Sequence, residues 1–131
     1  MTNKNKSSEN DFNATICNTV LCDVFIAKMI GVDTEYSNEV YKDSKSGLRH
    51  IINNRKKEDG LLFSSDWNWI MYVVEFINKR DWVTIYRDEC KIHSLIVGEF
   101  EEIISIDEES QFNAIYLSCV KYAEWYLKNI A

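Results

Sequence analysis

Proline is absent from this chain of 131 residues, and glycine occurs only four times. Average usage would supply about six prolines and nine glycines. The shortfall argues against a turn-rich β-sandwich, a solenoid of proline-broken repeats and a polyproline ligand. The glycines stand alone at 31, 47, 60 and 98, so there is no glycine-rich loop to cradle a phosphate. Apolar runs are short as well. The longest, Trp69 to Val74, has six residues, far below the roughly 20 that a membrane helix needs. Histidine is limited to His50 and His93, and neither is accompanied by the elbow or oxyanion-hole loop of a nucleophilic enzyme. No catalytic residue is assigned, and a non-enzymatic role is expected.

What is present describes one soluble domain. Apolar residues make up 46% and charged residues 27%, a balance that a packed core can use and a disordered chain lacks. Met1 to Asn13 is polar, without the apolar h-region of a signal peptide. The expectation is a flexible tail over residues 1–13 and a single domain over 14–131, in the cytosol. Cys17, Cys22, Cys90 and Cys119 lie in apolar runs, as buried reduced thiols do. Cys90-x-x-His93 lies on an expected strand, where residues three apart point to opposite faces. Cys17 and Cys22 are about 140° apart on a helix. No metal site and no cofactor follow from either pair.

The net charge of −6 is unevenly placed. Residues 1–65 carry nine basic and nine acidic side chains, whereas residues 66–131 carry six and twelve. Lys45, Arg49, Arg55, Lys56 and Lys57 fall in one basic stretch that could hold an anion such as a signalling nucleotide or a nucleic-acid backbone. Glu99, Glu101, Glu102, Asp107, Glu108 and Glu109 fall within eleven residues that contain no base. This acidic segment is the candidate partner-binding patch.

Periodicity supplies the order of elements. Ile16, Cys17, Val20, Leu21, Val24, Phe25 and Ala27 recur at helical steps from about 14 to 30, with Gly31 as the stop. Val40–Tyr41, Leu48–Asn53 and Leu61–Phe63 are expected as short strands, with a turn at Asp59–Gly60. A second helix follows a cap among Ser64, Ser65 and Asp66, with Trp67, Ile70, Met71, Val74 and Ile77 on one face. Trp67 and Trp69 are two apart and cannot share that face; at least one enters the core and the other covers an edge or an interface, core packing being the simplest role for both. Trp82 to Tyr86 and Cys90 to Val97 alternate as a hairpin, and Phe100 to Ile106 returns as a further strand. A last helix begins at the Ser110 cap and carries a stripe from Phe112 to Ile130. The expected fold is α+β: an antiparallel sheet packed with about three helices in an α/β/α-type sandwich.

Ser64-Ser65-Asp66-Trp67-Asn68-Trp69-Ile70-Met71, followed by Val73-Val74-Glu75, resembles the S-x-W-x-W-L-M-x-V-V-E signature of the phage ABA sandwich proteins. Ile26-Ala27-Lys28-Met29-Ile30-Gly31, Val40-Tyr41-Lys42, Ala114-Ile115-Tyr116 and Glu124-Trp125-Tyr126 fall in matching order. Asp66 is an insertion relative to that signature, and Tyr72 stands where a proline is frequent. The resemblance implies the sandwich fold and a mobile-element setting, and it carries over no catalytic residue. In that setting the expected partner is a host defence protein such as a CRISPR effector, with nucleic acid touched only indirectly. No membrane is expected to be involved, and the oligomeric state, monomer or dimer, stays open. Anion sequestration by the basic stretch and a role in phage assembly are the alternatives.

Overall fold

The computed structural model describes residues 19–96, 99–108 and 110–130, the backbone alone over 95–96 and 99–105. Helix α1 spans Thr19–Ile30. Gly31 ends it at φ 103°, donating its N–H to the Ala27 carbonyl at 3.1 Å, in the left-handed conformation that glycine adopts without a Cβ clash. The expected residues 14–18 lie outside the described part. The buried face of α1 differs from the expected stripe. Cys22, Asp23, Ile26, Ala27, Met29 and Ile30 point inward, while Val20 and Leu21 are exposed.

Strands β1 (Val32–Asp33) and β2 (Lys42–Asp43) make a small antiparallel pair, and Val40 forms a single bridge with Lys56. The expected strand over Leu48–Asn53 is instead a helical turn, α2 (Arg49–Ile52). The reason is local. Asp43 Oδ1 accepts the N–H groups of Lys45 and Ser46, and Ser46 Oγ accepts that of Leu48. These bonds turn the chain so that Leu48 and Ile52, four apart, are both buried. Leu61–Phe63 is not a strand either. It follows a 3₁₀ turn (Lys57–Asp59) and Gly60, and it buries Leu61 and Phe63 while the Leu62 carbonyl accepts the N–H groups of Ser65 and Asp66.

Helix α3 (Trp67–Asn78) is capped by Asp66, whose carboxylate accepts from Asn68 N at 2.8 Å and Trp69 N at 3.3 Å. Asp66→Ala is expected to cost about 1 kcal/mol of stability by chemical denaturation. Trp69, Ile70, Val73, Val74 and Ile77 form its buried face. The hairpin follows as β3 (Trp82–Ile85) and β4 (Glu89–Ile96), with Trp82 opposite His93 and Ile85 opposite Cys90. Strand β5 (Glu99–Asp107) pairs antiparallel with β4 through a register shift at Ile92/His93. The sheet order is β3-β4-β5, so β5 is an edge.

Helix α4 (Gln111–Asn129) starts at Ser110, whose hydroxyl accepts from Asn113 N at 3.2 Å. Ala114 to Val120 are buried without a break. An amphipathic stripe would leave exposed gaps in that run. The gaps close because α1 packs on one side of α4 and strands β4 and β5 on the other. The fold is a single small α+β domain. Among the described residues, α3 and α4 are the helices against the sheet, and α1 lies beyond α4.

Candidate functional site

The outer face of the sheet is built by β-alternation. Val83 and Ile85 pack toward the core, so Trp82, Thr84 and Tyr86 face the other way. Trp82 is 59% exposed and Tyr86 47% exposed. On β4 the same face carries His93 opposite Trp82 and Lys91 opposite Thr84. Lys91 Nζ lies 6.0 Å from the Tyr86 ring centroid and 4.0 Å from Glu89 Oε2. The next register positions, on β5, are Asp107 opposite Glu89, Ser105 opposite Lys91 and Glu102 opposite His93.

The acidic candidates are thus placed on one element. Glu99, Glu101, Glu102 and Asp107 all belong to β5, with Glu99 opposite Ile96 and Glu101 opposite Ser94. Glu108 follows directly, its N–H donating to the Asp88 carbonyl at the hairpin tip. Glu109 lies outside the described residues.

The basic candidates are not brought together as an anion site. Arg55 donates from Nε to the Gly60 carbonyl and from Nη2 to that of Asp59, and its guanidinium lies 5.7 Å from the Trp69 ring centroid. Lys57 Nζ donates to the Thr34 carbonyl and lies over the Tyr41 ring. Both side chains tie loops together. Lys45, Arg49 and Lys56 are exposed, and the hollow of about 350 Å³ beside Lys56 is also lined by Glu39 and Glu58, which oppose an anion.

Buried polar chemistry lies elsewhere. Asp23 on α1 accepts a 2.8 Å hydrogen bond from Tyr116 Oη on α4, and burial pushes its carboxyl up to about 7. Burial, with the Asp23 carboxylate beside it, pushes the Cys22 thiol up to about 11 and raises Tyr116. Burial also raises Cys90 and Cys119, so none of these three thiols is a nucleophilic thiolate at neutral pH. Among the described residues, no three His, Cys, Asp or Glu side chains gather as a metal site. No described helix is long and apolar enough to cross a membrane. A groove of about 700 Å³ between Phe25 of α1 and Lys121, Trp125 and Lys128 of α4 involves none of the candidate residues.

Two features escaped the sequence reading. The alternation around Trp82 was legible, but which parity faces solvent was not. Asp23 was hidden inside an apolar helical pattern. Comparison of the chain with protein-family models, with curated proteins and with solved structures yields no match.

Proposed function

We propose that the protein is a non-enzymatic inhibitor that binds a host antiviral defence protein, in the manner of an anti-CRISPR protein, by presenting the acidic strand β5 to a basic nucleic-acid channel. One observation carries this reading: Glu99, Glu101, Glu102 and Asp107 lie on a single edge strand with no base among them. Nine strand residues extend over roughly 30 Å, with Glu102 and Asp107 at register positions of the outer face and Glu99 and Glu101 at the alternate positions, so the strand brings a high density of acid to a surface that normally holds phosphates. Such complementarity speeds encounter and selects basic partners. The resemblance to phage ABA sandwich proteins supplies the mobile-element setting. The basic stretch is the weaker candidate because Arg55 and Lys57 are engaged by loop carbonyls.

The test is a pull-down from bacterial host lysate with and without nuclease, followed by measured affinity for the captured protein. Glu101→Lys with Glu102→Lys should lower that affinity about tenfold at low salt, mainly through slower association. An unchanged affinity at low salt would remove the acidic strand from the mechanism. Loss of capture after nuclease would show nucleic acid, rather than protein, to be the ligand.

A further inference from the structure

We propose that the outer face of the sheet, centred on Trp82 and Tyr86, is a docking surface for an arginine-rich protein surface. This inference rests on the acidic-strand reading and gives it an anchoring site. Trp82 and Tyr86 are large aromatic side chains on one face, each about half exposed or more. Aromatic side chains of this kind act as interface anchors, because they bury much area at little conformational cost.

The charge around them selects the occupant. Glu89 and Asp107 share a register row next to Tyr86, and Glu102 ends the row that begins at Trp82 and passes through His93. The one described lysine of the face, Lys91, lies 4.0 Å from Glu89, so those two charges offset each other and Asp107 and Glu102 carry the acidic excess of the rows. A guanidinium meets both requirements of such a surface. It stacks on an aromatic face and pairs with a carboxylate in two-pronged fashion, whereas an ammonium does the first less well and lacks the fork. The face already shows the first kind of contact, since the Lys91 ammonium sits over the Tyr86 ring.

The test uses fluorescein-labelled deca-arginine and deca-lysine peptides, titrated with the full chain and read by anisotropy. Wild type should bind deca-arginine more tightly than deca-lysine. Trp82→Ala should weaken deca-arginine binding about tenfold and erase that preference, Tyr86→Ala should act in the same direction, and Trp82→Phe should retain most of the affinity. Thermal melts of the variants report whether each is folded, and at an exposed position they should match wild type. Retained deca-arginine affinity in Trp82→Ala and Tyr86→Ala overturns the proposal. If Glu101→Lys with Glu102→Lys still weakens binding in that case, the acidic strand survives as the recognition element by itself. A binding loss confined to the aromatic variants instead removes the acidic strand. Preference for a single-stranded oligonucleotide over deca-arginine, lost in Trp82→Ala, overturns the choice of occupant.

Discussion

Replacing Asp23 by Asn will make the protein more stable relative to wild type as pH rises, the difference widening by about 2–4 kcal/mol between pH 4 and pH 8. The carboxyl is buried between α1 and α4, and its described partner is the Tyr116 hydroxyl. It differs in this from the other buried pair on α4. Asp81 also accepts from a tyrosine, Tyr122, but has the Arg80 guanidinium 3.5 Å away, whereas no described cation pairs with Asp23. Burial disfavours the charged form and raises the folded-state value from 3.8 to about 7. Below about pH 4 both folded and unfolded chains hold the proton, and the group is neutral to stability. Between about pH 4 and pH 7 the unfolded chain releases a proton that the folded chain keeps, so stability falls as pH rises. Above about pH 7 the full penalty is present. At 1.36 kcal/mol per unit, the shift sets an upper value of about 4 kcal/mol, which local relaxation lowers. Asn keeps an oxygen for Tyr116 and has no charge to desolvate. Urea denaturation of both proteins at pH 4, 6 and 8 measures the effect, and parallel pH profiles would show that Asp23 is solvated in the native state.

Trp69→Ala is expected to cost about 3–5 kcal/mol, and Trp67→Ala about 1 kcal/mol. Trp69 is 4% exposed, meets the Phe63 ring edge-on at 5.1 Å and lies under the Arg55 guanidinium. Its removal therefore leaves a cavity and also frees the side chain that ties residues 59 and 60 to the core. Trp67 is 48% exposed and touches the edge of Phe112 at 4.8 Å, so its loss opens no void. Set against a typical total stability of about 5–15 kcal/mol, the first substitution removes a large share and the second does not. Guanidinium denaturation midpoints for the two variants check the ranking. Equal losses would mean that both rings are structural.

The ends of the helices were legible because they depend on near neighbours. Gly31, Asp66 and Ser110 act on groups within four residues, and the chain shows each of them in place. The hairpin and the returning strand were legible for a similar reason, since alternation with an intervening polar turn is local information. Residues 40–63 were not, because short apolar runs fit a strand and a helical turn equally well. There the Asp43 and Ser46 side chains chose the turn. The candidate site was legible in part. The acids fall on one strand, whereas the basic stretch loses Arg55 and Lys57 to carbonyls that no spacing rule would have revealed.

By itself the sequence determined an α+β domain, the order of its main elements, and a charge distribution with the acids on the last strand. Those follow from periodicity, capping and counting. Tertiary structure decided which tryptophan is core, which parity of β3 meets solvent, and that an aspartate lies between α1 and α4. These depend on packing partners far away in the chain: a residue is buried only when another element covers it, and periodicity identifies faces without saying what covers them.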